Sequence, residues 1–190
     1  MVKNMQKILA FGHQKRVGKD TAGRFIISHL KLTNKYKDVR KAGFADKLKE
    51  QCHQLFAWAG LKDRIYYDEN PAKREEILPA VGLTPRQIWI GHGMSCRQYY
   101  DRIWIDYLLK SNKSDVLVVT DLRMPNEAEA IRELGGKVVK IKRPEIPHTS
   151  DAADDPLLDY QGWDAEILNE GGMDVFHAKV ITLLETFGWL

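Results

Sequence analysis

The sequence is poor in cysteine and in proline, has no marked excess of charge of one sign, and contains no long apolar run. Its two cysteines, Cys52 and Cys96, make neither a metal-binding pattern nor an obvious disulfide framework. That fits a reducing cytosol and leaves them as ordinary thiols. The formal net charge of +3 does not demand a nucleic-acid partner, although it suits an anionic small substrate. Charges of both signs are interspersed and make up 29% of the chain, which argues against disorder. No stretch approaches the roughly 20 apolar residues of a membrane span. Despite Lys3 and Lys7, Ile8 to Phe11 is too short for a signal-peptide core. The histidines show no metal spacing, and nothing suggests a Ser–His–Asp or Cys–His arrangement.

What is present is an alternation of strand and helix patterns. Lys7 to Gly12 reads as a short buried strand. Lys19 to Leu30 follows with Ala22, Phe25, Ile26 and Leu30 at helical spacing. Val39 to Phe44 suits a second strand. Asp46 to Ala59 suits a helix with Leu48, Cys52, Leu55, Phe56 and Ala59 on one side, stopped by Gly60. Arg64 to Ile90 is less regular, although Thr84 as cap and Pro85 at the first helical position predict a short helix through Ile90. Gln98 to Lys110 reads as another helix, with Ile103, Trp104 and Tyr107 inward. Asp115 to Thr120 carries Val-Leu-Val-Val, a run typical of a central parallel strand, with Asp121 at its carboxyl end. A helix over Pro125 to Leu134 closes at Gly135-Gly136, and Lys137 to Lys142 alternates like a strand. His148 to Gly172 reads as a long polar surface excursion, and Phe176 to Phe187 as a closing helix. The pattern predicts an α/β fold, a three-layer α/β/α domain around a central parallel sheet, with no clean linker.

The stretch from Phe11 to Phe25, FGHQKRVGKDTAGRF, almost spells a phosphate-binding loop. Counting back from Gly18-Lys19, the usual first glycine position is His13, and Gly12 stands one residue early. Asp20 stands where a metal-holding hydroxyl is expected. The order strand, loop, helix is nevertheless right, because amides at a helix N-terminus and the helix dipole both favour phosphate. Gly18 allows close backbone approach, Lys19 can reach the β- and γ-phosphates, and Thr21 can offer a hydroxyl. Lys15 and Arg16 add cations. Asp20 can hold Mg²⁺ directly or through water. The plain alternative is a lysine-rich exposed turn.

These residues resemble the loop of the bacteriophage deoxynucleoside monophosphate kinases, within the P-loop nucleoside monophosphate kinase superfamily. Further motifs of that family follow in order: Phe44-Ala45-Asp46-Lys47-Leu48-Lys49, Thr84-Pro85-Arg86-Gln87, Val119 to Glu129 (VTDLRMPNEAE) and Ile141-Lys142-Arg143-Pro144. Trp163-Asp164 with Ile167, Asn169 and Gly171 also fits it. The run before Arg97, Gly91 to Cys96, departs from the family pattern. The resemblance spans nearly the whole chain. It implies a single P-loop kinase domain over residues 1–190, with NMP-binding and lid insertions. The core would be about 1–45 and 112–190, and the acceptor-binding helical insertion about 46–111.

The implied reaction is transfer of the γ-phosphoryl group of ATP to a deoxynucleoside monophosphate, with ATP and Mg²⁺ as the implied cofactors. Lys15, Arg16, Gly18, Lys19, Asp20, Thr21 and Arg143 would bind ATP. Asp46, Lys47, Arg86, Gln87, Arg97 and Arg123 would bind the acceptor. Asp20 and Asp121 would hold the metal, and Lys19, Arg16, Arg123 and Asp121 would carry catalysis. Each has a plainer reading: Asp46 as a helix cap, Arg86 as a helix-surface charge, Arg143 as a strand-end charge. Trp58, Trp89, Trp104 and Trp163 read as core or pocket walls, and Tyr66 and Tyr67, in the irregular segment, as candidate stacking partners of an acceptor base. Small nucleotides are the expected partners, without membrane or nucleic acid, in the cytoplasm (a host cytoplasm if phage-encoded); a homodimer is compatible with this. Rival readings keep the loop and change its use. One is a kinase for a phosphomevalonate-like molecule or a hydroxymethylated base in DNA, and the other is a non-catalytic nucleotide-binding module.

Overall fold

A computed structural model describes residues 6–146 and 156–190. The His148–Gly172 excursion therefore lies partly outside the described residues. The chain divides into two compact units, Met1–Gly43 with Asn112–Leu190, and Phe44–Ser111.

The first unit is built on strands β1 (Lys7–Gly12), β2 (Val39–Ala42), β3 (Val116–Val119), β4 (Lys137–Lys142) and β5 (Ala165–Leu168). They form one five-stranded sheet in the order β2-β3-β1-β4-β5, with every neighbouring pair parallel. β1 and β3 are buried along almost their whole length, as the continuous apolar runs Ile8–Phe11 and Val116–Val119 require of strands covered on both faces. On one face Leu9, Phe11, Val116, Val118, Val139 and Ile141 pack with α1 (Lys19–Thr33) and α7 (Met173–Thr186). Ala22, Ile26 and Leu30 of α1 meet this core at helical spacing, and Phe25 sets its ring edge-on to Phe176, 6.1 Å between centroids. On the other face lies α6 (Pro125–Glu133), where Ile131 and Ile8 close around Gly136. Full burial of side chains such as Phe11 and Ile26 stabilises the unit by about 1.5–3 kcal/mol each. The three-layer α/β/α arrangement is thus observed.

β5 corrects the reading of His148 to Gly172 as a surface excursion. Four residues, Ala-Glu-Ile-Leu, extend the sheet beyond β4, with Ile167 opposite Ile141. The Asp164 carboxylate starts the pairing by accepting from the Val138 N–H at 2.9 Å and from Lys137 Nζ at 3.1 Å. Only one face of this edge strand is buried, so its sequence lacks the apolar run of a central strand.

The second unit contains α2 (Asp46–Phe56), α3 (Arg64–Glu69), α4 (Pro85–Tyr99) and α5 (Ile103–Ser111), with single 3₁₀ turns at Ala57–Ala59 and Pro71–Glu75. α4 begins as expected, with Thr84 and Gln87 in a reciprocal capping box and Pro85 in the first turn. It does not stop at Ile90. It runs on through Gly91 and Gly93 to Tyr99, and the next helix starts at Ile103 rather than Gln98. Gly93 is a packing position: a Cβ there would lie 3.1 Å from Leu48 Cδ2, and its carbonyl accepts from Trp104 Nε1 at 3.3 Å. Tyr67 and Trp89 stack edge-on at 5.2 Å. Leu55, Tyr107 and Trp58, expected inside, are exposed; Trp58 reaches 73%. Burial raises the Cys52 thiol pKa, with a smaller push from Cys96, to about 11, which matches an inert core thiol.

Gly12 lies where the sheet meets its covering layer. A Cβ there would sit 2.6 Å from Trp163 Cη2 and 3.1 Å from Leu122 Cδ2. Gly12→Ala is expected to destabilise the protein by about 1–3 kcal/mol through overpacking. Urea unfolding checks this; an unchanged midpoint would show that the indole moves aside freely.

Candidate functional site

β1 leaves the sheet at its carboxyl edge, between the crossover to β2 on one side and the later β4 on the other. In open parallel sheets this switch point is where ligands bind. The connection from Gly12 to Lys19 adopts left-handed backbone at His13 (φ 85°), Arg16 (φ 64°) and Gly18 (φ 109°). Alternation of hand along a short loop turns successive amides toward one concavity, an anion-binding geometry. The displaced glycine now has an explanation. Gly12 is small because Trp163 lies against it, and its φ is not left-handed. The left-handed residue is His13, in the position where a glycine usually stands.

The loop is held from inside and from behind. Lys19 is buried, and its Nζ donates to the carbonyl of His13 at 2.9 Å and to that of Gln14. Asn169, in the β5–α7 connection, donates through Nδ2 to the Val17 carbonyl at 2.7 Å. A Cβ at Gly18 would meet that same Nδ2 at 2.7 Å and the Phe176 ring at 3.2 Å, so a side chain there would displace the Asn169 amide, and the φ of 109° favours glycine. Lys15 and Arg16 are exposed and have no ion pair or hydrogen bond from their side chains among the described residues. Thr21 Oγ1 accepts from Arg24 at 3.3 Å.

Asp20, in the first turn of α1, accepts from Thr120 Oγ1 and from Lys41 Nζ, both at 2.8 Å. Burial pushes its pKa up, but hydrogen bonds from Lys41 and Thr120 and the charges of Lys41 and Lys19 outweigh that, and the pKa falls below the ordinary 3.8. P-loop NTPases place a hydroxyl in the loop and an acid at a strand end to hold Mg²⁺. Here the acid is in the loop and the hydroxyl is at the end of β3, with Asp121 following. Asp121 lies against Gly43, where a Cβ would come within 2.5 Å of its Oδ2. This oxygen donor set fits Mg²⁺, which keeps its waters and takes one or two carboxylates together with substrate phosphates. No group of three or more His, Cys, Asp or Glu that could hold a metal ion converges among the described residues.

Beyond Asp121 the chain turns into α6. The buried Glu127 carboxylate accepts the N–H groups of Arg123 at 2.9 Å and Met124 at 3.1 Å, fixing the backbone that carries Arg123. The Arg123 side chain is exposed, without an ion pair or hydrogen bond among the described residues. Arg143 pairs with Glu145 at 2.8 Å. It lines a cavity of about 380 Å³ with His13, Gln14, Lys142 and Leu168, beside the loop.

The remaining candidates lie on the second unit. Asp46 is in the first turn of α2 and pairs with Arg64 at 3.5 Å; the cap position itself is Ala45, so Asp46 is not the cap. Lys47 pairs with Glu50 at 3.1 Å and lies 5.6 Å from the centre of the Tyr107 ring. Arg86 pairs with Glu75. Gln87 spends its amide oxygen on the Thr84 N–H at 2.8 Å, the second half of the cap. Arg97 donates to the Asp101 carbonyl at 3.0 Å.

Sequence reasoning assigned no role to Lys41, Thr120, Glu127 or Asn169. Thr120, Glu127 and Asn169 stood within familiar motifs, which was a usable signal. Lys41 carried none, because only strand pairing brings it to α1.

No protein-family model matches the chain. A protein of Acanthamoeba polyphaga mimivirus named "Putative deoxynucleotide monophosphate kinase" is 29% identical over 189 residues, covering 88% of this chain and 91% of that protein. The resemblance to the deoxynucleoside monophosphate kinases is thereby shown. Two solved structures align over nearly the full chain. They are dephospho-CoA kinase from Campylobacter jejuni (15% identity, TM-score 0.40, covering 95% of this chain and 96% of that one) and a "putative kinase" from Chloroflexus aurantiacus (12%, 0.41, 97% and 98%). Overlap at that level says nothing of what this chain binds. No described helix is long and apolar enough to cross a membrane.

A left-handed non-glycine residue costs roughly 1 kcal/mol. His13→Gly is therefore expected to raise stability by about 0.5–1 kcal/mol, the gain being reduced by glycine's extra freedom in the unfolded chain. Thermal unfolding of the two proteins measures it, and a loss of stability would show that the imidazole does more for the loop than its backbone costs.

Proposed function

We propose that the protein is an ATP-dependent deoxynucleoside monophosphate kinase, converting a dNMP and ATP to a dNDP and ADP. The observation that carries this is the loop itself. Left-handed residues wind it around the Lys19 ammonium at the start of α1, while Lys15, Arg16 and Arg123 stand exposed without carboxylate partners among the described residues. Cations left without counter-charges at the carboxyl edge of a parallel sheet suit an anionic ligand. The mimivirus relative's name, read with the motifs, supplies the substrate class.

In this reading the loop amides, Lys15, Arg16 and Thr21 hold the ATP phosphates. Lys19, already inside the loop, moves with the transferred group. Asp20 and Asp121 would hold Mg²⁺, which would supply positive charge to offset that of the phosphates. Arg123 stabilises charge on the equatorial oxygens, and Glu127 keeps its backbone in place. Arg143 borders the ATP side. Asp46, Lys47, Arg86, Gln87 and Arg97 read the acceptor, which makes the unit Phe44–Ser111 the acceptor-binding insertion of the domain. No general base is needed, because the acceptor's phosphate oxygen is already anionic. Positioning and charge stabilisation carry the reaction.

The test is ADP release at fixed Mg-ATP with each deoxynucleoside monophosphate, its ribo-counterpart and mevalonate 5-phosphate. ADP formation that depends on a dNMP is expected. Formation only with mevalonate 5-phosphate, or with no acceptor above the ATP-alone rate, overturns the reading. Arg123→Ala should lower kcat by on the order of a thousandfold, by analogy with arginine fingers. A loss below about threefold removes Arg123 from the mechanism.

A further inference from the structure

The ion pair between Asp20 and Lys41 is used by none of the roles above. Lys41 lies on edge strand β2, directly opposite Val118 of β3, and so two positions short of Thr120. Period-two alternation puts Lys41 on the face of Val39 and Val118, the face covered by α1. Its ammonium reaches Asp20 Oδ1 at 2.8 Å, on the same oxygen that accepts from Thr120. The approach depends on Gly23, one helical turn beyond Asp20. A Cβ there would come within 2.6 Å of Thr120 Cγ2 and 3.6 Å of Lys41 Cδ. A small residue thus lets α1 lie close enough to β2 and β3 for the three polar groups to meet.

We propose that Lys41 is the resident counter-cation of Asp20, which a divalent cation must displace, and that it thereby sets the metal affinity of the phosphate site. This rests on the reading of Asp20 as a metal ligand. Two cations compete for one carboxylate, and their mutual repulsion disfavours holding both. The competition is mild enough for exchange. The Asp20 side chain is 67% exposed and that of Lys41 34%, and exposed ion pairs are weak. Lys41 has room to release Asp20, since its side chain is only partly buried. In the ligand-free protein the pair keeps Asp20 aligned at the end of β3. When metal arrives with the polyphosphate, Lys41 swings off Asp20 and its charge remains beside the incoming anion. Lys41 is accordingly a positioning residue.

The experiment measures Mn²⁺ binding by electron paramagnetic resonance of the free ion, on the full chain with and without ADP. The variants are Lys41→Met, Lys41→Arg and Asp20→Asn. Lys41→Met should bind Mn²⁺ about threefold more tightly than the wild type, a size set by the weakness of exposed pairs. Lys41→Arg should match the wild type, because it keeps the charge, and it also controls for folding. Asp20→Asn should lose the site with or without ADP. Mn²⁺ affinity that is unchanged or weaker in Lys41→Met, with Lys41→Arg normal, overturns the proposal. So does retained binding in Asp20→Asn. No acceptor is present in this measurement. A failed dNMP assay with tightened Mn²⁺ binding would refute the assigned reaction and leave the exchange standing, and the opposite pair of results would do the reverse.

Discussion

The site depends on one turn of the chain. A strand buried along almost its whole length must give way to a helix buried on one face between Gly12 and Lys19, and three left-handed residues make that possible. The turn is stable because its carbonyls have partners. The Lys19 ammonium serves those of His13 and Gln14, and the Asn169 amide serves that of Val17. A carbonyl spent inward leaves its neighbouring amides to face outward. The same contacts that hold the loop therefore also prepare it for an anion. Asp20 takes its position from this turn, because it opens the helix that the turn starts.

The electrostatics of the first unit divide into two kinds of group. Asp20, Lys41 and Thr120 are engaged with one another, and Arg143 with Glu145. Lys15, Arg16 and Arg123 are not so engaged among the described residues. The first group fixes geometry at low cost to charge balance. The second carries positive charge that the protein itself does not neutralise. Moving the acid into the loop and the hydroxyl onto the strand keeps the pair while changing which element carries the charge. That exchange removes the hydroxyl-after-lysine signature without removing the contact.

The central strands, α1, α6 and the start of α4 were legible because each has a strong local cause. These are continuous apolar runs in β1 and β3, helical spacing of Ala22, Ile26 and Leu30, and the Thr84–Gln87 cap with Pro85. β5 was missed because an edge strand needs only one buried residue in four, and Asp164 rather than hydrophobicity sets its register. The end of α4 was missed because Gly91 and Gly93 look like breakers. Gly93 is instead the contact point for Leu48 and the Trp104 indole, a tertiary reason that propensity cannot display. Leu55, Trp58 and Tyr107 came out exposed because helical spacing locates a stripe but not how much of it a neighbour covers.

By itself the sequence determined the alternation of strands and helices, the location of the loop between β1 and α1, and its richness in cations. Those follow from local periodicity and from residue types that are neighbours in the chain. Only the tertiary structure decided why the glycine stands at position 12. Trp163, remote in sequence, occupies the space a side chain would need, and the left-handed turn falls on His13 instead. Only the tertiary structure, likewise, joined Lys41 and Thr120 to Asp20. Parallel strands place side by side residues that lie far apart along the chain, and no local pattern records which of them will meet.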